Sequence, residues 1–119
     1  MNTEEIRAFC LSLPGTTEGF PFDEVTLVFK VMGKMYCLMN LDGETGVNLK
    51  NTPDKIIEMQ EQYPFVIPGY HMNKVHWNVV KTGMAPATLL KQWIEESYGL
   101  VVKGLTREKK EELKKAYRR

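Results

Sequence analysis

Val25-Thr26-Leu27-Val28-Phe29-Lys30-Val31-Met32-Gly33-Lys34-Met35-Tyr36-Cys37-Leu38-Met39-Asn40-Leu41-Asp42-Gly43 is the stretch that decides the fold. Val25, Leu27, Phe29 and Val31 alternate with Thr26, Val28 and Lys30, the period-two pattern of a strand with one strongly apolar face. Met32-Gly33-Lys34 reads as a tight turn. Met35, Cys37, Met39 and Leu41 supply the apolar face of the next strand, with Tyr36, Leu38 and Asn40 opposite. Asp42-Gly43 tolerates the positive φ of a hairpin turn and leads into a third strand from Val47 to Lys50. The middle of the chain is therefore an antiparallel meander.

Helices are expected on both sides of it. Upstream, Asn2 is placed to cap a helix, with Glu5 in capping-box position and Ile6, Phe9, Cys10 and Leu13 at helical spacing. Pro14-Gly15 ends that helix, and Thr16 to Asp23 reads as a loop or a short irregular edge strand. Downstream, Thr52-Pro53-Asp54 starts a helix that turns Ile56, Ile57 and Met59 to the core and stops at Tyr63-Pro64. Phe65 to Ile67 and Val75 to Lys81 read as two further strands. Pro86 opens a long helix with Leu89, Leu90, Trp93, Ile94, Tyr98, Val101 and Leu105 on one side. Thr106 caps a last helix in which Glu108, Glu111 and Glu112 precede Lys114, Lys115, Arg118 and Arg119, as the helix dipole favours. Leu113 and Tyr117 are its only large apolar residues, so it should be lightly anchored. The order α-β-β-β-α-β-β-α-α is that of an α+β fold. One antiparallel sheet should carry its helices mainly on one face, leaving the other partly open.

The 119 residues suit a single domain over 1–119. A chain of this length buries about 65% of its unfolded surface, enough for a core without metal or disulfides. Its apolar share is 43% and its charged share 26%, ordinary for a globular protein. No apolar run approaches the ~20 residues of a membrane span, and Met1-Asn2-Thr3-Glu4-Glu5 is too acidic for a signal peptide. A cytoplasmic monomer with no membrane association is expected. Cys10 and Cys37 read as buried thiols. Charge is uneven: residues 1–62 hold five basic and ten acidic residues, residues 63–119 eleven and five. The second half is thus a candidate anion-facing half, or simply carries a solvated helix.

Gly69-Tyr70-His71-Met72-Asn73-Lys74-Val75-His76-Trp77-Asn78-Val79-Val80 concentrates both histidines, a tryptophan, two asparagines and a lysine in twelve residues. With Leu13-Pro14-Gly15-Thr16, Pro21-Phe22, Phe29-Lys30-Val31, Gly33-Lys34-Met35, Glu96-Ser97-Tyr98, Leu100-Val101-Val102 and Gly104-Leu105, it resembles the signature of the MmcQ/YjbR family of small bacterial proteins. The likeness runs over nearly the whole chain. It departs at Val75, where similar sequences often carry a second basic residue. The resemblance implies an α+β fold of the CyaY-like or secretion-chaperone-like class. It also implies DNA binding in a double-wing mode, with hairpins flanking a helix.

DNA binding needs cations for phosphates and groups that reach base edges. The candidates are Lys30 and Lys34 on the first hairpin, Lys74 and Lys81 around the signature strand, and Asn73, His76 and Asn78 as hydrogen-bonding groups. Trp77 shares a strand face with Val79 and should be buried, which turns His76 and Asn78 toward the open face. Binding would be weak and dominated by phosphate, since pI 7.7 is modest for a duplex binder. His71 and His76 are five apart, which on a regular strand puts them on opposite faces and argues against a shared metal. No nucleophile or phosphate loop is evident, and Glu4-Glu5 and Glu95-Glu96 lie on helix surfaces, so neither catalysis nor a cofactor is expected. The other reading is a protein- or peptide-binding module, with Met32, Met35 and Met39 as an adaptable apolar surface, although Met35 and Met39 also fit the core face of their strand.

Overall fold

The first helix begins as its capping residues dictate. Asn2 Oδ1 accepts from the Glu5 amide at 2.8 Å, and Glu5 Oε1 accepts from the Asn2 amide at 3.0 Å. This reciprocal pair opens α1 (Thr3–Ser12), which buries Ile6 and Cys10. In the computed structural model, which describes residues 1–42 and 46–117, the chain then reverses through Gly15. Gly43 of the expected hairpin turn, and Arg118 and Arg119, lie outside the described residues. Gly15 has φ +77°, and a Cβ there would stand 2.4 Å from Leu113 Cδ1, so glycine serves both the turn and a close approach.

Thr16 to Gly19 is the edge strand of the two readings open for it: β1 (Thr16–Gly19) pairs antiparallel with β2 (Thr26–Val31). β3 (Lys34–Asn40) and β4 (Gly46–Lys50) complete the meander. After α2 (Pro53–Gln62), the short β5 (Val66–Pro68) leads to β6 (Trp77–Lys81), which pairs with both β4 and β5. The strand order is β1-β2-β3-β4-β6-β5, antiparallel throughout. α3 (Ala87–Lys103) and α4 (Arg107–Tyr117) close the chain. Residues from all four helices, among them Ile6, Met59, Trp93 and Leu113, share one core cluster with Leu27, Phe29, Val31, Met39, Val47, Leu49 and Val80 of the sheet. The fold is α+β with its helices on one face, as expected, and one strand longer than the expected order.

The alternation read for the second strand changes phase. Phe29 pairs with Cys37 but Lys30 pairs with Met35, so Tyr36 is an extra residue, a β-bulge. Tyr36 thereby joins Cys37 in the core, while Met35 turns to the opposite face. The Tyr36 hydroxyl shares a 2.8 Å hydrogen bond with Thr16 Oγ1 and donates to Cys10 O at 3.2 Å. Two more expectations need correction. Leu41 lies beyond the end of its strand and is exposed. Ile57 is 57% exposed, because it sits about 100° round the helix from buried Ile56. Ser97 reaches across to the strands, donating to Tyr36 O and accepting from the Lys50 amide.

Candidate nucleic-acid interface

The sheet face away from the helices is covered by connections rather than by a layer. Its centre is a small apolar cluster of Val28, Leu38 and Trp77, with Met35 and Met72 packed against it. Met72 comes from the segment between β5 and β6. That segment was expected to be strand from Val75, but β6 begins only at Trp77. The reason is Asn73: its side chain accepts from the Val75 amide at 3.0 Å, and its carbonyl from the His76 and Trp77 amides at 3.1 and 3.0 Å. An asparagine that binds its neighbours' amides favours a turn over a ladder. At the start of the turn, a Cβ on Gly69 would lie 2.9 Å from Trp77 O, so the chain reverses tightly against its own strand.

Trp77 and Val79 do share a face, but it is the helix-free one, so the facing expected for the signature residues is inverted. Trp77 is buried, at 7% exposure, but on the helix-free face. Asn78 points the other way and is fully buried toward the helices. It accepts from Gln60 Nε2 at 2.7 Å and donates to Ile56 O at 3.1 Å. That buried role removes Asn78 from the exposed candidates. His71 and His76 lie in the turn rather than on a strand; His71 is exposed and His76 half-buried. Among the described residues no group of three or more His, Cys, Asp or Glu side chains is placed to hold a metal ion.

The remaining lysines divide into groups. Lys30 sits opposite Met35, and Lys34 stands exposed at the start of β3. The residue that sequence reasoning missed is Lys50. It pairs with Trp77 and, with Lys34, flanks a cleft of about 420 Å³ at the end of the sheet, walled by Met35, Met72 and Trp77 on one side and by Leu100, Val101 and Gly104 at the end of α3 on the other. Its signal was available: Asn48 and Lys50 alternate with buried Val47 and Leu49, which puts both on the helix-free face. Lys109 of α4 approaches the same end of the sheet, its Nζ 3.5 Å from Met32 O. Lys81 lies at the other end of that face, opposite Gly46. Lys74 stands apart as well, 5.1 Å from the centroid of the Tyr70 ring, a cation–π distance.

A second cleft, of about 460 Å³, opens beside Leu38 between Phe22 and His71. Asp23 lies in its wall and accepts from the Val25 and Thr26 amides at 2.9 and 2.6 Å, bonds that hold its carboxyl below the usual range. Asn48 Oδ1 is buried at the same cleft and has no hydrogen-bond partner.

The protein-family model YjbR matches residues 11–100. The chain belongs to the YjbR family. Among YjbR-family relatives, the Escherichia coli O157:H7 protein named Uncharacterized protein YbdF is 40% identical over 106 residues, 87% of each chain. Uncharacterized protein YjbR of Escherichia coli K12 is 26% identical over 112 residues, 92% of this chain and 95% of that one. Among solved structures, the Deinococcus radiodurans protein DR2400 superposes with a TM-score of 0.87 at 38% identity, over 94% of this chain and 87% of that one. A Pseudomonas syringae protein shares the fold, with a TM-score of 0.74 at 24% identity, over 84% and 98% of the two chains. In this YjbR domain residues 70–76 form a turn whose Met72 packs over the helix-free face.

Proposed function

We propose that this YjbR-family protein binds DNA across the helix-free face of its sheet, mainly through phosphates, as a monomer in the cytoplasm. The observation that carries the reading is that Lys34 and Lys50 line one cleft with Met35 and Trp77 at the end of that face, while Lys30 pairs with Met35 beside it. Three ammonium groups beside an apolar floor can neutralise a backbone while sugars or bases rest on the floor. Lys81, Asn73 and His76 are secondary contacts along the same face and its roof, Lys74 is a more distant contact from the groove beside α2, and Asn78 contributes only by holding β6 to α2.

The test is a titration of labelled protein with a short mixed-sequence duplex and with its separated strands, at two salt concentrations. With three phosphate contacts, a roughly fourfold rise in salt should weaken binding by about twenty- to fortyfold. Amide shifts should cluster at Lys30, Lys34 and Lys50, and Lys34→Glu should weaken every sequence alike. An affinity indifferent to salt would contradict the phosphate reading.

A specific observation also favours peptide docking. Exposed Ile57 and Val75 line a groove of about 280 Å³ between α2 and the signature turn. On that reading Ile57→Asp abolishes binding of a protein partner and leaves the DNA titration unchanged; loss of DNA binding instead would argue that the two surfaces are one.

A further inference from the structure

The cleft between Phe22 and His71 lies on the same helix-free face as Lys30 and Lys50 but offers a different chemistry. Its floor is Leu38, and Phe22 stands at its mouth with 63% of its surface exposed. An aromatic ring so exposed gains little by packing within the domain and is available for stacking. The polar groups are mostly acceptors. Asp23 keeps its negative charge, and Asn48 Oδ1 is an acceptor with no donor. Asn40 Oδ1 is taken by the Asp42 amide at 2.8 Å, so Asn40 contributes its Nδ2 donor.

A carboxylate and an amide oxygen beside one amide nitrogen complement a planar group that carries an amino donor next to a ring-nitrogen acceptor. Adenine and cytosine present that edge, and guanine presents its amino group and N1–H beside the O6 acceptor; thymine presents carbonyl oxygens where acceptors already stand. The edge is free only when the base is unpaired, since in a duplex it faces its partner. Asp23 also makes the cleft a poor place for a phosphate, which belongs instead at the lysine end.

We infer that the cleft seats one unpaired, amino-bearing base of single-stranded DNA, stacked on Phe22 and read by Asn40, Asn48 and Asp23. The inference rests on the DNA reading above and specifies the form of DNA. Asn48 is then a residue whose buried oxygen is satisfied by the ligand rather than by the fold.

The experiment is fluorescence anisotropy with labelled oligo-dA, oligo-dC and oligo-dT of equal length and with a duplex, at low salt. Oligo-dA and oligo-dC should bind about tenfold more tightly than oligo-dT, since a base-edge contact discriminates by that order. Each should also bind more tightly than the duplex. Asn48→Leu should erase the preference while leaving the protein at least as stable, because it removes an orphaned polar atom. Phe22→Ala, at an exposed position, should weaken all single strands by about tenfold or more. Equal affinity for the three oligomers, or a duplex bound as tightly as they are, overturns the base cleft and leaves the phosphate reading standing. No binding of any oligomer or duplex overturns both.

Discussion

Asn78 sits in the middle of the signature segment, yet its side chain is wholly engaged behind the sheet, with Gln60 and Ile56 of α2 as its partners. Asn78→Ala leaves the Ile56 carbonyl without that donor and should cost about 1–3 kcal/mol. Chemical denaturation should record a lowered midpoint, while DNA affinity per folded molecule stays constant; a loss of affinity without a loss of stability would return Asn78 to the interface. Asp23 makes a second prediction at this scale. Bonds from the Val25 and Thr26 amides hold its folded pKa below the ordinary 3.8. A group with a depressed folded value stabilises the turn above its unfolded pKa, and that contribution disappears as pH falls through the folded value. The Val25 and Thr26 amide resonances should therefore titrate with a midpoint below 3.8. A midpoint at or above that value would mean that the bonds do not persist in solution, and the acceptor wall of the base cleft would lose its anchor.

The bulge in β3 is the feature with the widest consequences at the level of elements. Strict alternation puts Met35 inside and Tyr36 outside; the extra residue reverses both. Tyr36→Ala should accordingly cost about 3–5 kcal/mol, the range for deleting a buried aromatic side chain. Met35→Ala, on a partly covered face, should cost roughly 1 kcal/mol. Thermal or denaturant unfolding of the two variants distinguishes the registers, and a larger loss at Met35 would refute the bulge. The bulge was not legible because Met35 and Tyr36 are both apolar enough for either face, so the pattern carried no marker of a phase change. Asn73 is the opposite case. An asparagine inside an otherwise strand-like run signals a turn, and it accounts for the start of β6 at Trp77 instead of Val75.

For the molecule as a whole, the expectation of a lightly held last helix can be made quantitative. Among the described side chains of α4, Leu113 is the buried apolar anchor, and it fills the space that Gly15 leaves open. Truncation after Leu105 should remove about 2–3 kcal/mol, the value of one buried leucine, and leave a folded domain. A denaturation midpoint lowered by that amount, with the amide spectrum of the sheet retained, is the expected outcome; collapse of the spectrum would make α4 integral to the fold. The truncation also removes Lys109 from beside Met32, so it should reduce DNA affinity modestly and not abolish it.

Local and periodic features were decided by the sequence alone: the capping box at Asn2 and Glu5, the Pro53 helix start, the meander, the α+β order and the family. Each depends on residues adjacent in the chain or one period apart, whose side chains and backbone preferences act at short range. What the tertiary structure decided was facing and neighbourhood. Trp77 and Asn78 exchanged sides, Lys50 came to stand with Lys30 and Lys34, and Asn48 was left with an unanswered oxygen beside Phe22 and His71. Such outcomes depend on strand pairing between residues far apart in the chain. A shift of a single residue in register, or one inserted bulge residue, inverts every side chain beyond it.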